Sequence, residues 1–307
     1  MNVLIMAAGS LGGYIGSEIS KSKSHNVTLI ARNQHLKKIQ ENGLVVKSVT
    51  SGNYICNAEA YEKPIENYKA DLILYCVKSY QNLQAIPVIK NSAHSDTTIL
   101  TLQNGIGSGK FLASHFDSNN IILGSAYIDA STLDYGIIKE HGGDCKIFFG
   151  NYQGNNNYHI EKIKEALKST NIKYHLSKEI LTTIWEKLIF ISGLSGMTCI
   201  TNSTFEEVLS YEQTRHMTKS LITETYNVGI KSGIKLDKSI TENTMKYFID
   251  FKSELTSSMH QDLINGNQLE VESINGAISK IGKLYDVSTP INDIINDCLS
   301  LINNRRK

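Results

Sequence analysis

Cysteine is scarce in this sequence, and neither cysteine nor histidine occurs in the spacing of a metal site. The 307 residues include five cysteines without a C-x-x-C pair and nine histidines without an H-x-x-x-H pair. A zinc site usually has such spacing, and an odd, dispersed set of cysteines argues against a disulfide framework. We therefore expect reduced thiols, as in a cytoplasmic protein, and no structural or catalytic metal. The cysteines are Cys56, Cys76, Cys145, Cys199 and Cys298.

An excess of one charge and long apolar runs are also absent. The formal net charge is +1, so no general attraction draws the chain to nucleic acid or to an anionic membrane. No apolar run approaches the roughly 18 residues that a membrane span needs. The chain starts with a predicted strand instead of the basic and apolar segments of a signal peptide. We expect small-molecule partners, and both a monomer and a homodimer remain open.

Proline is rare, and the remaining composition is that of a globular protein with two domains. Hydrophobic residues make up 41% and charged residues 20% of the sequence, which is typical of folded domains. The length is sufficient for two separate cores. The sequence pattern changes near residue 176, so we predict one domain at 1–176 and a second at 177–307. The three prolines, Pro64, Pro87 and Pro290, interrupt none of the helices predicted for the second domain.

The first domain alternates short β-branched runs with helical stretches. The runs at 72–77 and 99–102 are continuously apolar, as expected for strands buried on both faces of a parallel sheet. This alternation predicts an α/β fold with a Rossmann-like, doubly wound sheet. The predicted strands are 3–6, 27–30, 44–46, 54–56, 72–77, 99–102 and 121–124, with glycine-punctuated strands over 127–150 and helices at 10–21 and 34–41.

The second domain is predicted to be all α. Its sequence consists of segments with helical periodicity joined by polar residues. The segments are 178–194, 204–232, 238–250, 254–284 and 290–303.

A glycine-containing turn joins the first strand to the first helix. Such a turn lets the backbone approach a pyrophosphate, which then lies at the helix N-terminus. Ala7 occupies the first glycine position of the G-x-G-x-x-G fingerprint, whereas Gly9 and Gly12 fill the other two. An ordinary tight turn is the alternative. The predicted cofactor-binding residues of this turn are Ala8, Gly9, Ser10, Leu11 and Gly12.

The end of the second strand indicates which dinucleotide would bind. An NAD site usually has an acidic residue there for the ribose hydroxyls, but this chain has Arg32. An arginine can pair bidentately with a 2′-phosphate, so NADPH is favoured over NADH. A surface arginine is the alternative interpretation.

Two later strand ends carry polar residues at the edge where folds of this kind bind ligands. Lys78 and Gln81 follow the run 72–77, and Asn104 follows the run 99–102. The amide of Asn104 could donate to a carboxamide or to a substrate oxygen. Asparagine before glycine is also common in turns, which is the alternative reading.

Lys187 places a charge in the middle of a predicted buried helical stripe. At 100° per residue, Ile180, Ile184, Leu188 and Ile191 span roughly 80° of arc, and Lys187 projects into it. An ammonium in apolar surroundings is costly, and lysines placed in this way often take part in chemistry. The alternative is a lysine whose stem packs on the apolar face while its charge reaches water.

A carboxylate is predicted on the inner face of the segment 254–284. If this segment is one helix, Glu270 falls inside its apolar arc and Glu272 falls outside. Asp262 also lies near the arc and is the rival carboxylate. Gly266 could break the helix and would weaken this calculation.

Taken together, these motifs resemble those of the ketopantoate reductases, or 2-dehydropantoate 2-reductases, over nearly the whole chain. The resemblance implies that Lys187 is catalytic, and that Ser258 and Glu270 contact the substrate, Glu270 also supporting catalysis. It places Asn104 near the nicotinamide and the reacting carbonyl, and it implies that Arg32, Lys78 and Gln81 line the cofactor cleft. The motifs that carry the resemblance are the glycine turn, Arg32, Lys78 with Gln81, residues 104–107 and 185–187, the Ser-Ser-Met-x-Gln-Asp run at 257–262, and Glu270.

The resemblance implies NADPH-dependent reduction of 2-dehydropantoate to pantoate, in pantothenate biosynthesis. The family often has asparagines four and eight residues beyond the lysine, but this chain has Ile191 and Ser195. Ser195 still has a hydroxyl that could bind the substrate, so it is a candidate substrate-binding residue. The loss of the two amides leaves the identity of the keto acid open. The alternatives are an NADPH-dependent reductase of another 2-keto acid, a non-catalytic NADPH-binding protein, and, least favoured, a helical interaction module fused to a nucleotide fold.

Overall fold

The computed structural model describes residues 1–154 and 157–306, and the chain divides into two compact units. The first unit comprises Met1–Gln103 and Ser108–Ile180, and the second comprises Asn104–Gly107 and Leu181–Lys307. The division after Ile180 lies close to the boundary at 176–177 that the sequence suggested. The grouping of 104–107 with the second unit was not predicted.

The predicted fold class, a doubly wound α/β sheet followed by a helical domain, is confirmed. Most predicted strands are present within a few residues of their expected bounds. The strands in the described part of the first unit are β1 (Asn2–Met6), β2 (Asn26–Ile30), β3 (Leu44–Ser48), β4 (Gly52–Cys56), β5 (Glu59–Tyr61), β6 (Leu72–Tyr75), β7 (Thr98–Thr101), β8 (Ile121–Tyr127), β9 (Ala130–Asp134), β10 (Ile137–Glu140), β11 (Lys146–Asn151) and β12 (Lys173–Leu176).

The larger sheet has eight strands in the order β12-β11-β8-β7-β6-β1-β2-β5. The six neighbouring strands β8, β7, β6, β1, β2 and β5 are parallel to one another. In contrast, β11 runs antiparallel to β8. The chain leaves β1 in one direction to reach β2, and later returns to β1's other side through β6. This reversal between β1 and β6 creates a crevice at the carboxyl ends of both strands, which is where doubly wound sheets bind ligands.

A second sheet of four strands, in the order β4-β3-β10-β9, was not predicted as a separate layer. The strands predicted at 44–46 and 54–56 are present as the antiparallel pair β3 and β4. However, β3 also pairs in parallel with β10, about 90 residues later in the chain. A long-range pairing of this kind leaves no local signature in the sequence.

Helices cover the larger sheet of the first unit and supply part of its core. Buried residues of α1 and α5 pack with residues from the strands in one hydrophobic cluster. The helices are α1 (Ser10–Ser20), α2 (Asn33–Asn42), α3 (Asn82–Lys90), α4 (Ser108–Ala113) and α5 (Asn157–Leu167).

The second unit is helical and forms around its first helix. This helix contributes Trp185, Leu188 and Ile189, all at most 2% exposed, to a separate hydrophobic cluster. The helices are α6 (Ile180–Thr201), α7 (Phe205–Ser210), α8 (Glu212–Lys231), α9 (Ile240–Asp250), α10 (Ser258–Ile264), α11 (Asn275–Leu284) and α12 (Pro290–Asn304).

Of the helices in the described residues, α6 alone is long and apolar enough to cross a membrane. It has 22 residues, a mean hydropathy of 1.2 in its most apolar part, and 56% of that part is buried inside the protein. The core helix of a folded domain meets the same criteria of length and composition. Its packing in the hydrophobic cluster is sufficient to explain its composition.

The prediction of one helix over 254–284 was wrong. The segment contains α10, a 3-10 turn at Val271–Ser273 and α11. Gly266 adopts a left-handed conformation with φ of 73°, just after α10 ends. The predicted helix 204–232 is also divided, because Tyr211 is extended between α7 and α8. Apolar residues at helical spacing therefore continue through both breaks, at Tyr211 and near Gly266, although the backbone does not remain helical there.

In contrast, α6 continues seven residues beyond its predicted end at residue 194. Its glycines allow close packing instead of ending the helix. A Cβ at Gly193 would lie 2.7 Å from Ile222 Cγ2, and one at Gly196 would lie 3.1 Å from Ile295 Cδ1. Glycine at these positions lets neighbouring side chains approach the helix backbone.

A buried carboxylate from α8 caps the N-terminus of α12. Glu224 Oε1 accepts from the backbone of Ile291 at 3.0 Å. Its Oε2 accepts from the backbone of Asn292 at 3.0 Å and from the Asn292 amide at 2.8 Å. A carboxylate is favourable here because the first N–H groups of a helix lack internal partners and carry partial positive charge.

Substitution of Glu224 should therefore destabilise the second unit. In Glu224→Ala three donors at the start of α12 lose their acceptor, and we expect the free energy of unfolding to fall by about 3 kcal/mol. Glu224→Gln keeps one acceptor oxygen and should lose less. Urea unfolding would measure both, with the exposed Lys219→Ala on the same helix as control. A value for Glu224→Ala within about 0.5 kcal/mol of the wild type would contradict the capping role.

Candidate active site

The turn between β1 and α1 is shaped so that glycine is required at one position. A Cβ at Gly12 would lie only 2.3 Å from the carbonyl oxygen of Ala7. Ala7 itself has φ of 72°, a left-handed conformation that favours glycine. Gly9 precedes the helix and is exposed. The turn therefore presents backbone at a helix N-terminus, as a pyrophosphate site requires.

A cavity of about 160 Å³ opens beside this turn, entirely within the first unit. It collects side chains and backbone from the ends of β1, β2 and β6. Four of the predicted cofactor-binding residues line this cavity, namely Ala8, Gly9, Arg32 and Gln81. Its lining residues are Met6, Ala7, Ala8, Gly9, Ile30, Ala31, Arg32, His35, Val77, Gln81 and Ala85.

Arg32 stands directly before α2 with an extended backbone. Its Nη1 donates to Gln84 Oε1 on α3 at 3.0 Å. The cavity wall therefore has a guanidinium, and no carboxylate is among its lining residues. A guanidinium can pair with an anionic group of a ligand.

Lys78 precedes a short 3-10 turn, Ser79–Gln81, that follows β6, and Gln81 is the last residue of this turn. A residue that the sequence analysis did not identify holds this segment. Gln103 Nε2 donates to the carbonyl of Val77 at 2.9 Å and to Asn82 Oδ1 at 2.8 Å. Its position after β7 and before Asn104 was the only available signal, because a single glutamine carries no motif.

In the second unit, Lys187 and Asn104 are in direct contact. Lys187 Nζ donates to Asn104 Oδ1 at 2.8 Å, and both residues are half-buried. This bond turns the carbonyl end of the Asn104 amide toward the ammonium, so the NH₂ end faces the other way. The NH₂ group of Asn104 is thereby directed away from Lys187, and the donor role expected from the sequence stays a prediction.

The segment carrying Asn104 packs against the 3-10 turn Val271–Ser273, which directly follows Glu270. Ile106 donates from its backbone to the carbonyl of Ser273 at 3.0 Å. Gly105 has φ of 86°, and a Cβ there would lie 2.0 Å from the same carbonyl oxygen. Glycine at this position is therefore required for the close approach of the two segments.

Glu270 is buried, at 5% exposure, and it precedes the 3-10 turn. Glu272 is exposed, so Glu270 is the inward carboxylate of the two, although the single helix over 254–284 from which this was predicted does not form. The rival Asp262 is half-buried and accepts from the amide of Asn267 at 3.2 Å.

The electrostatics of Lys187 combine two opposing effects. Burial lowers its pKa from 10.5 to about 8, and the negative charge of Glu270 partly opposes this decrease. A lysine of this kind can lose or gain a proton near neutral pH, as a general acid or base must.

The predicted substrate-contacting serines have different surroundings. Ser195 is buried and accepts from Ser257 Oγ at 3.0 Å, while Ser258 is exposed at the start of α10. Ser257 belongs to the run at 257–262 but was given no role of its own, and its hydroxyl also accepts from the backbone of His260 at 3.2 Å. Ile191 is half-buried one turn beyond Lys187.

The candidate residues thus form two groups, one in each unit. The first unit holds the glycine turn, Arg32, Lys78 and Gln81, and the second holds Asn104, Lys187 and Glu270 together with the serines. The first group can bind a dinucleotide through backbone donors and a cation. The second group has an ammonium whose pKa is lowered by burial, a carboxylate that partly opposes this decrease, and an amide oxygen that accepts from the ammonium.

Sequence models of one enzyme family match both units. The model described as ketopantoate reductase PanE/ApbA matches residues 3–154, and the one described as ketopantoate reductase PanE/ApbA C terminal matches residues 179–303. A curated relative, the 2-dehydropantoate 2-reductase of Halobacterium salinarum, is 24% identical over 301 residues, which are 98% of this chain and 98% of that protein.

Solved structures share the fold over the whole chain. The PanE/ApbA family ketopantoate reductase from Ralstonia eutropha JMP134 has a TM-score of 0.90 and 24% identity, and the match covers 100% of this chain and 99% of that one. D-mandelate dehydrogenase, solved with NADH and anilino(oxo)acetate, has a TM-score of 0.91 and 23% identity over 100% of this chain and 99% of that one. The sequence models cover most of both units, and the chain therefore belongs to the ketopantoate reductase family of oxidoreductases.

Proposed function

We propose that the protein reduces 2-dehydropantoate to pantoate with NADPH, a step of pantothenate biosynthesis in the cytoplasm. The observation that carries this proposal is the contact of Lys187 with Asn104, with Glu270 acting on the same ammonium. Membership of the ketopantoate reductase family supports the choice of substrate.

The reaction needs a proton donor at the oxygen of the C2 carbonyl. Bound NADPH supplies the hydride, and negative charge then develops on that oxygen. The Lys187 ammonium stabilises this charge by donating a hydrogen bond, and it can transfer a proton from Nζ to the new hydroxyl. Its lowered pKa favours this transfer, because an acid gives up its proton more readily when its pKa lies close to the working pH.

Asn104 and Glu270 have supporting roles in this proposal. The carbonyl of Asn104 holds the ammonium, and its NH₂ group donates to the nicotinamide carboxamide or to a substrate oxygen. Glu270 favours the charged form of Lys187 and accepts from the distant hydroxyl of the substrate. Ser258 and Ser195 contribute hydroxyl groups for the substrate carboxylate.

The cofactor assignment depends on the first unit. The backbone of residues 8–12 binds the pyrophosphate at the start of α1, and Arg32 pairs with the 2′-phosphate that distinguishes NADPH from NADH. Lys78 and Gln81 contribute further polar contacts beside the same cavity.

One observation favours a second candidate, the reduction of a more apolar 2-keto acid. Ile191 offers no hydrogen bond where the family often has an asparagine, and Ser195 already accepts from Ser257. Loss of NADPH absorbance with purified protein would separate the candidates. Rapid turnover of 2-dehydropantoate supports the proposal, faster turnover of a hydroxyl-free analogue supports the second candidate, and tight NADPH binding without any turnover indicates a non-catalytic protein.

Removal of the Lys187 ammonium should abolish most turnover without affecting the cofactor. We expect Lys187→Ala to lower kcat by about 10²–10³-fold, because the developing oxyanion loses its donor. The Kd of NADPH, measured by fluorescence, should remain within about twofold. The exposed Lys178→Ala serves as the matched control. If Lys187→Ala keeps most of its activity, the lysine is not the proton donor.

The pH dependence of reduction should follow the charge of Lys187. Reduction needs the protonated lysine, whose pKa lies at about 8, so kcat should fall as the pH rises through that value. Glu270→Gln removes the charge that raises this pKa, so the midpoint should move to lower pH.

Glu272→Gln is the control, because Glu272 is exposed two residues away. It should leave the midpoint unchanged. A midpoint that stays in place or moves upward in Glu270→Gln would show that another group controls the profile.

Substitution of Arg32 should reduce the preference for NADPH. We expect Arg32→Ala to raise the Kd of NADPH by about 10- to 100-fold, because charge-assisted bonds to the 2′-phosphate are lost. Binding of NADH, which lacks that phosphate, should change little. Arg215→Ala, in the second unit, is the control for loss of an arginine. Equal weakening of both cofactors would argue against phosphate recognition by Arg32.

A further inference from the structure

His35 on α2 lies beside the glycine turn and has no role in the function proposed above. Its Nε2 is 3.0 Å from the carbonyl oxygen of Ala8, and its Nδ1 is 3.0 Å from the backbone nitrogen of Gly136. We propose that His35 is a positioning residue that orients the Gly9 amide toward the cofactor pyrophosphate. This inference depends on the proposed function only in taking the cavity beside the turn as the NADPH site.

The two contacts allow only one form of the imidazole ring. The Gly136 N–H can only donate, so Nδ1 must accept and carries no proton. The Ala8 carbonyl can only accept, so Nε2 must carry the proton. The ring is therefore the neutral Nε2–H tautomer. A second proton on the ring would place an N–H group opposite the N–H of Gly136.

The bond from His35 determines the direction of the Gly9 N–H. Ala8 is fixed on its other side, because its own N–H donates to the carbonyl of Ile30 at 2.7 Å. A trans peptide is planar, with its C=O and N–H pointing in opposite directions. With the Ala8 carbonyl directed at His35, the Gly9 N–H must point away from the ring.

The Gly9 amide is in the state expected of a ligand donor. Among the backbone hydrogen bonds of the described residues outside regular elements, Gly9 accepts from Gly13 but is not a donor. Gly9 is also exposed and lines the cavity together with His35. An N–H at a helix N-terminus that makes no bond inside the protein is suited to a pyrophosphate oxygen.

The second sheet supports the other side of the imidazole. Gly136 is buried in the turn between β9 and β10, and its carbonyl accepts from the backbone of Val45 on β3 at 2.9 Å. Its φ is 76°, and a Cβ there would lie 2.8 Å from Lys38 Cβ on α2. Gly136 is thus fixed against α2, and through His35 it connects the four-stranded sheet to the glycine turn between β1 and α1.

Direct measurement of NADPH binding tests this inference. We expect His35→Phe to raise the Kd of NADPH by about tenfold, because the Ala8 carbonyl loses its donor and the turn can reorient. His35→Gln can donate from its amide and accept with its oxygen, so the increase should be about threefold or less. His141→Phe, an exposed histidine in the same unit, should have no effect.

A role confined to folding would give a different result. At saturating NADPH, the kcat of His35→Phe and its KM for the keto acid should match those of the wild type, since the second unit is unchanged. Thermal unfolding shows whether each variant is folded. If His35→Phe does not fold, His35→Gln and the nitrogen resonances of the wild-type ring still decide the question.

The ¹⁵N resonances of His35 in the protein without cofactor report the tautomer independently of activity. A protonated Nε2 with an unprotonated Nδ1 supports the assignment, and the opposite tautomer or a doubly protonated ring at pH 7.5 overturns it. A wild-type protein that does not bind NADPH overturns the proposed function. A wild type that binds NADPH, with His35→Phe binding equally well, overturns only the role of His35.

Discussion

The desolvated ammonium of Lys187 is the constraint on which the second unit depends. An isolated charge on an apolar helix face would be neutral or would expel the helix from the core. Here the cost is limited by a hydrogen bond to Asn104 and by the charge of Glu270, neither of which belongs to the same helix. The pKa of about 8 reflects a balance in which burial outweighs the carboxylate.

This constraint explains why short segments from distant parts of the chain meet in the second unit. Residues 104–107 follow β7 in the sequence but pack with residues 270–273. The contact requires a glycine at position 105, where a side chain would collide with the Ser273 carbonyl. A loop whose backbone is fixed in this way can hold an amide within 2.8 Å of a charged lysine without depending on helix geometry.

Much of the fold and part of the site could be predicted from the sequence because the signals were local. The strand ends, the glycine turn and the apolar face around Lys187 all depend on residues within one or two turns of each other. The break at Tyr211 was missed because apolar periodicity continued through it, whereas Gly266 was recognised from the sequence as a possible helix break. The second sheet and the contacts of Gln103 and Ser257 join residues far apart in the chain, so no spacing could indicate them.

The hydrogen-bond directions at Ser195 limit what the proposed site can recognise. Ser257 accepts from the His260 backbone and gives its own proton to Ser195, so Ser195 keeps its O–H as a donor. A donor suits a carboxylate, which every 2-keto acid has, while Ile191 can recognise only shape. The distant hydroxyl of 2-dehydropantoate would then be distinguished by an acceptor, and Glu270 is the buried acceptor that the proposal assigns to it. Selection among 2-keto acids in this protein would therefore depend on the same carboxylate that keeps Lys187 charged, so substrate choice and proton transfer cannot be varied independently.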